Sequence, residues 1–182
     1  MAFLELAKTR QSVRSYKTDP VEREKLEYCL EAARLAPSAC NSQPWQFVVV
    51  DEPELKEKVA KACFGKVISF NHFSLKAPAM VVLVAEKPNL TSKIGSVVKK
   101  KRFELMDVAI AAEHFCLAAA EQGLGTCMLG WFAEKPVKEL LNVPKDRTVE
   151  LIITVGYPAK EEVRPKKRKS LDEMRSFNTY KS

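Results

Sequence analysis

The sequence has few of the residues that build metal sites and disulfide frameworks. Only two of its 182 residues are histidine, its cysteines number five, and no C-x-x-C pair occurs. Because neither histidine stands at metal-ligand spacing from a cysteine, we expect no structural zinc, no disulfide framework and no metal. Reduced thiols in this pattern predict a cytoplasmic protein.

Long apolar runs and common catalytic motifs are also missing. No apolar run approaches the roughly 18 residues of a membrane helix, and the first residues lack the pattern of a secretory signal. We therefore expect no membrane partner. Gly123-x-Gly125 follows a helical pattern, whereas a dinucleotide fingerprint follows a strand. The phosphate-binding loop G-x-x-x-x-G-K-[ST], the nucleophile elbow G-x-S-x-G and a paired-carboxylate site are absent.

The positive charge is local. The net charge is +7, and much of it lies in two clusters, Lys99–Arg102 and Lys166–Lys169. A solvated basic face is the simplest interpretation, and nucleic acid is the other macromolecular partner to weigh. Proteins that bind single-stranded nucleic acid combine basic residues with aromatic residues on which the bases stack. The basic clusters of this sequence contain no such aromatic residues, so we expect no nucleic-acid partner. Phosphate on a small ligand remains open.

The apolar patterns predict an α+β fold. Ala79–Ala85 is a continuous apolar run between prolines, which indicates a buried central strand. Helices and strands do not alternate regularly, so a mixed or antiparallel sheet flanked by helices is favoured over a doubly wound one. No linker divides the chain, and we expect one domain over residues 1–182 with an extended basic tail from about residue 158 to residue 182. The other predicted strands are Trp45–Asp51, Thr126–Trp131 and Val149–Val155.

Several local features carry specific expectations. Asp19 with Glu22 reads as a capping box that opens a helix, and Arg10–Tyr16 reads as a turn or loop. Lys87–Lys101 is predicted to be a mobile excursion. Gly123 suits the left-handed position after a helix, and Gly130 marks a bulge or a close approach of backbone.

The longest helical pattern, Arg102–Gln122, is almost entirely apolar from Val108 to Ala120. A helix that is hydrophobic on every side must be covered on every side, either in the core or at a subunit interface. Its His114 is better explained as a hydrogen-bonded histidine on the helix face than as a base. Cys40 and Cys127 are better explained as small buried thiols than as nucleophiles.

Polar and basic residues suggest a pocket for a flat, phosphorylated molecule. The stretch APSACNSQPW, Ala36–Trp45, places short polar side chains between a helix that Pro37 must end and an extended strand. Taken alone, it is most simply an ordinary polar loop. A phosphate could be held by Arg10, Ser12 and Arg14, which stand at every second position of their segment. Lys166 and Arg168 have the same spacing. A redox cofactor would account for the lack of an acid, base or nucleophile.

The chain resembles the FMN-dependent nitroreductase family over almost its whole length. The stretches that carry the resemblance, in order, are RQSVRSY, APSACNSQPWQF, APAMVVLVAE, AAEHFCLAAAEQGLGTCMLGWF and VGYPAKEEVRPKKR. The resemblance implies an interlocked homodimer that binds FMN at the subunit interface. It also implies that no side chain is catalytic, because N5 of the flavin carries the reaction.

The resemblance also implies roles for particular residues. Arg10, Ser12 and Arg14 would hold the phosphate and ribityl end together with Lys166 and Arg168. The ring would be reached by Asn71, by the backbone near Leu129 and Gly130, and, from the partner subunit, by Pro37, Ser38 and Asn41. Trp131 departs from the family pattern, in which a small residue often follows the glycine, and could narrow the pocket.

The implied activity is ping-pong hydride transfer from NADH or NADPH to a small electron acceptor such as a nitroaromatic or quinone. Two alternatives stay open. One is a family member with dehalogenase or flavin-fragmenting activity, and the other is a non-enzymatic flavin-binding or redox-sensing protein.

Overall fold

The computed structural model describes residues 2–65, 69–160 and 162–180. Its helices are α1 (Phe3–Thr9), α2 (Arg23–Arg34), α3 (Pro53–Lys61), α4 (Leu90–Lys99), α5 (Phe103–Glu121), α6 (Glu134–Leu140) and α7 (Leu171–Met174). Its strands are β1 (Trp45–Val50), β2 (Ala79–Ala85), β3 (Gly125–Leu129) and β4 (Thr148–Gly156).

The strands form one sheet in the order β1-β2-β4-β3, and every neighbouring pair is antiparallel. The predicted α+β class with an antiparallel sheet is therefore confirmed. All seven residues of β2 are buried. Its alternate side chains enter two different cores, because helices cover both faces of the sheet. Ala79, Val81 and Leu83 pack in the core with α2 and α5, and Met80 and Val82 pack in the core with α3 and α6.

The segment Arg10–Tyr16 is a loop outside the four strands, as predicted, and two isolated bridges, to Thr126 and Pro158, hold it. It lies beside β3, where the Val13 N–H donates to the Thr126 carbonyl at 2.8 Å and Ser12 forms a parallel bridge with Thr126. Local sequence could not reveal this, because the pairing partner lies far along the chain.

A glycine on β3 allows this close approach. A Cβ added to Gly125 would lie 2.6 Å from a methyl group of Val13. We expect Gly125→Ala to lower the free energy of unfolding by about 1–3 kcal/mol through overpacking. Chemical denaturation measures this change.

Gly130 provides the matched control, since a Cβ added there would meet no atom of the described residues within 4 Å. Gly130→Ala should leave the unfolding free energy within about 0.5 kcal/mol of wild type. Equal destabilisation by the two substitutions would contradict the packing argument.

Gly123 ends α5 as predicted. It has a positive φ of 74°, its N–H donates to Ala120, and the Leu124 N–H donates to Ala119 at 2.8 Å, which is the Schellman pattern. Of the two possibilities stated for Gly130, a bulge or a close approach of backbone, the bulge is wrong within the described strands. β3 ends at Leu129 and pairs with β4 without a shift.

The predicted capping box at Asp19 is also wrong. Helix α2 begins at Arg23 with Glu22 as its N-cap, and no side chain of the described residues caps it. The Glu22 carboxylate instead accepts a hydrogen bond from the Tyr157 hydroxyl at 2.6 Å. The predicted excursion at Lys87–Lys101 contains helix α4.

Helix α5 is only partly covered by its own chain. Ala112 and Phe115 are fully buried, whereas Met106 and Ile110 are 52% and 39% exposed. Ala109 is exposed as well. The helix therefore has a core face and a separate apolar face that the rest of the described chain leaves open. None of the described helices combines the length and the hydropathy that crossing a membrane requires.

Candidate functional site

Hydrogen bonds join the segment Arg10–Tyr16 to the C-terminal tail, and this set of contacts is here called the clamp. The Gln11 amide nitrogen donates to the Glu162 carbonyl at 3.0 Å, and its oxygen accepts from the N–H and the guanidinium of Arg164. The Arg164 guanidinium also donates to the Ser12 carbonyl. The Lys166 ammonium group donates to the Arg10 carbonyl. Segment and tail therefore form one unit within a single protomer.

The clamp concentrates positive charge. Burial, followed by the nearby charges of Arg10 and Arg168, lowers the pKa of Lys166, and Arg164 acts in the same direction. Glu113 opposes them, with its Oε1 3.1 Å from Arg10 Nε. That contact lies outside hydrogen-bond geometry, and Arg10 Nε is buried without a hydrogen-bond partner. Among the described charges that act on Lys166, three arginines are set against one carboxylate, which favours an anion here.

The structure thus places Arg10, Ser12, Lys166 and Arg168 close together. Arg14 lies further along the segment, with its guanidinium carbon 6.0 Å from the centre of the Phe73 ring. A cavity of about 430 Å³ opens beside it, and Arg14 and Arg164 contribute to the lining. Sequence reasoning missed Gln11 and Arg164, because their roles depend on contacts between residues at opposite ends of the chain.

The loop Ser38–Gln43, here called the site loop, has an uncommon backbone. Cys40, Asn41 and Gln43 have φ angles of 52°, 49° and 47°. Residues other than glycine avoid this left-handed region, at a cost of about 1–3 kcal/mol each. Strain of this kind persists where surrounding contacts over-determine the conformation, and it is typical of functional sites.

Hydrogen bonds within the site loop decide which atoms it can offer to a ligand. The Ser38 hydroxyl oxygen accepts from the Gln43 N–H at 2.9 Å. The Asn41 side-chain oxygen accepts from the Gln43 amide at 3.1 Å. Because these oxygens are already accepting, Ser38 O–H and Asn41 N–H₂ are the groups that can donate outward. Pro37 is exposed beside them. The loop is suited to a ligand edge rich in acceptors.

A third part of the site lies at the end of β3. Leu129 is buried, and the backbone at Gly130 is exposed with open space around it. The buried Asn71 amide donates to the carbonyls of Cys63 at 3.2 Å and Trp131 at 3.1 Å. Asn71 therefore fixes the backbone that follows Gly130, which is a more specific role than its position in the sequence suggested.

The other candidates for chemistry are accounted for by packing. His114 Nδ1 lies 3.3 Å from the Ala32 carbonyl, as expected of a hydrogen-bonded helix-face residue. Cys127 is buried, and burial raises the pKa of its thiol. The expectation that Cys40 is buried is wrong, because its left-handed turn leaves it exposed. No cluster of three or more metal-ligating side chains occurs among the described residues.

Within the described part of one protomer, no hydrogen bond or ion pair joins the site loop to the cations around Lys166. A separate cavity of about 710 Å³, lined by residues near α6, contains none of the predicted site residues.

Comparison with known proteins identifies what this arrangement is similar to. A family model described as the nitroreductase family matches residues 7–157. An Archaeoglobus fulgidus protein, provisionally named NADH dehydrogenase/NAD(P)H nitroreductase, is 33% identical over 164 residues, which cover 87% of this chain and 86% of that protein. An iodotyrosine deiodinase of Thermotoga neapolitana is 29% identical, with 85% of this chain and 87% of that protein covered. The solved FMN-dependent nitroreductase of Clostridium difficile R20291 is 32% identical with a TM-score of 0.79, covering 98% of this chain and 100% of that one.

Proposed function

The chain belongs to the nitroreductase family, and on that premise we propose that it is an FMN-dependent oxidoreductase. It takes reducing equivalents from NADH or NADPH and delivers them to nitroaromatic, quinone or similar electron-poor acceptors in a ping-pong cycle. The solved relative named an FMN-dependent nitroreductase and the relative whose name gives NAD(P)H support this proposal.

One observation carries the cofactor assignment. Arg10 Nε is buried, and its ion-pair partner, Glu113 at 3.1 Å, lies outside hydrogen-bond geometry. Among the charges that act on Lys166, three arginines are set against one carboxylate. A phosphate dianion would accept charge-assisted hydrogen bonds from these groups and neutralise their mutual repulsion. The residues present therefore fit the phosphate end of FMN.

The remaining contacts follow from the other two parts of the site. The outward donors of Ser38 and Asn41 suit the carbonyl edge of the flavin ring, and Pro37 packs beside it. Gly130 leaves room for the ring to approach the backbone near Leu129. Asn71 holds that backbone in place through Trp131. Arg14, Lys166 and Arg168 hold the phosphate end from the same chain as Arg10 and Ser12.

We propose further that the ring lies between two copies of the chain, so that the site loop of one protomer meets the cations of its partner. The uncovered apolar face of α5 and the lack of hydrogen bonds or ion pairs between loop and cations within one described protomer support this arrangement.

When bound, FMN supplies the hydride chemistry of both half-reactions. The protein binds the phosphate, orients the ring, excludes water from one of its faces, and places positive charge and hydrogen-bond donors where electron density collects on reduction. No residue of the chain is assigned as a general acid, a general base or a nucleophile.

Anaerobic addition of NADPH or NADH to the yellow protein tests the function. We expect loss of the flavin absorbance, followed by its return when a quinone or nitroaromatic is added. A protein that only stores or senses flavin would not lose its colour at a catalytic rate when NADPH or NADH is added. His114→Ala and Cys127→Ser should stay within about tenfold of wild-type turnover, far from the 10²–10⁴ of a lost acid–base group.

The Gly130→Ala variant has a second use here. Its flavin-free stability should match wild type, because no described atom contacts the position. Its FMN affinity should fall by about tenfold, because the added methyl group enters the space assigned to the ring. Unchanged FMN binding by this variant would move the ring away from the end of β3.

The iodotyrosine deiodinase relative favours one second candidate, reductive dehalogenation. The same cofactor contacts would serve it. Iodide release from iodotyrosine by the reduced protein, with no turnover of quinones, would favour this candidate over the one proposed.

A further inference from the structure

The strained site loop is held from outside by two residues with no assigned role. The Ala39 N–H donates to Asp107 Oδ1 on α5 at 3.1 Å. Asp107 is 4% exposed, and its Oδ2 is buried without a hydrogen-bond partner. Burial raises the pKa of this carboxyl, while the hydrogen bond from Ala39 lowers it. Burying a carboxyl oxygen without a hydrogen-bond partner costs free energy. The single hydrogen bond of Asp107, to the site loop, therefore indicates its role.

The second residue is Asn89, which serves two elements at once. Its side-chain oxygen accepts from the Ser92 N–H at 2.9 Å and so caps α4. Its side-chain nitrogen donates to the Cys40 carbonyl at 3.0 Å, and its backbone N–H donates to Ser42 Oγ at 2.8 Å. Two of its three hydrogen bonds therefore go to the site loop.

These contacts lie at the strained positions. Asp107 holds the residue before Cys40, and Asn89 holds Cys40 itself, where φ is 52°. A cysteine released from such contacts would relax toward an ordinary backbone region. That change would rotate the following peptide and redirect the donors of Ser38 and Asn41.

We propose that Asn89 and Asp107 are positioning residues that keep the site loop in the shape that meets the flavin. The inference rests on the proposed function, because it assigns the loop to FMN. It adds that α4 and the loop form one unit, since the residue that caps the helix also holds the loop.

Asn89→Asp separates the two roles of Asn89. Aspartate keeps a side-chain oxygen for the Ser92 N–H and is an equally good N-cap, but it cannot donate to the Cys40 carbonyl. We expect the FMN Kd to rise about tenfold, with a changed visible circular dichroism of the bound flavin. The thermal stability of the flavin-free protein should change little. Asn142→Asp, beside α6, makes the same change of charge and should bind FMN as wild type does.

Asp107 offers a conservative rescue. Asp107→Asn keeps an oxygen that accepts from the Ala39 N–H, and it should bind FMN within about threefold of wild type. Asp107→Ala removes the acceptor and should weaken FMN about tenfold. If Asp107→Ala fails to fold, the FMN affinities of Asn89→Asp and Asp107→Asn still test the positioning role.

The outcomes are distinct. If Asn89→Asp and Asp107→Ala bind FMN as wild type does while Arg10→Ala weakens it, the inference is wrong and the proposed function stands. Asp107→Asn as weak as Asp107→Ala would also contradict the positioning role. If the wild-type protein binds no FMN, both the inference and the proposed function fail.

Discussion

Arg10→Ala should weaken FMN binding at least tenfold. The guanidinium of Arg10 has a buried nitrogen with no hydrogen-bond partner, and a hydrogen bond from a charged group to phosphate is worth about 1.5–3 kcal/mol. Titration of the flavin-free protein with FMN, followed by flavin fluorescence, gives the affinity directly.

The effect should grow when a second cation is removed. Burial and neighbouring positive charges disfavour the ammonium form of Lys166 and lower its pKa. A bound phosphate dianion would relieve the repulsion between these positive charges. We expect the double variant Arg10→Ala with Lys166→Ala to bind FMN about 100-fold or more weakly, from two such bonds. Because both residues also share the contact between Lys166 and the Arg10 carbonyl, their effects need not add.

Lys135→Ala is the control for loss of one positive charge. Lys135 lies on α6, and its side chain is 87% exposed. The variant should bind FMN as wild type does at the same ionic strength, because exposed charges at a distance are largely screened. An equal loss of affinity in Lys135→Ala and Arg10→Ala would indicate a general charge effect and no specific phosphate site.

Because the proposed flavin site lies between two copies of the chain, Ile110→Glu should leave the protein monomeric and remove most of its flavin. Ile110 and Met106 form an apolar face on α5, and α1 adds Phe3 and Leu4, which are 67% and 70% exposed. Burying a glutamate in such an interface without a partner costs several kcal/mol, which corresponds to at least about a 100-fold weaker dimer. Sedimentation velocity and the ratio of flavin to protein absorbance measure the two effects.

The position of the substitution matters for this test. Ala112 is fully buried against its own chain, so a charge there would disrupt the fold and not the dimer alone. The control is Lys135→Glu, at an exposed position of α6. This variant should leave both dimer content and flavin occupancy unchanged. An Ile110→Glu protein that remains a fully yellow dimer would show that this face of α5 is not the subunit contact.

The elements that sequence predicted well are those specified by local patterns. The apolar run of β2 matched its strand exactly, since both faces are covered. The end of α5 followed from one glycine, Gly123, whose left-handed backbone few other residues adopt. The pattern S-x-x-E at Ser170–Glu173 predicts a capping box, and the box is present, because both of its partners lie within one turn.

The predictions that failed depended on distant residues. Glu22 does not complete a capping box because α2 begins after it, and its carboxylate accepts from the distant Tyr157 hydroxyl. Local patterns also could not show that the loop Arg10–Tyr16 pairs with β3, because Thr126, the partner of Ser12, is distant in the sequence. The same limit applies to the site. Arg10 and Lys166 could be suggested from residue type, whereas the Gln11–Arg164 clamp needed the folded chain.

Native mass spectrometry of the purified protein tests the central claim most directly, because it measures subunits and flavin in one species. The proposed function predicts a particle with the mass of two chains and two FMN molecules, and it predicts that flavin is lost when the particle separates into single chains. A single chain that retains FMN, or a stable dimer that never carries it, would contradict a flavin site built from two copies of this chain.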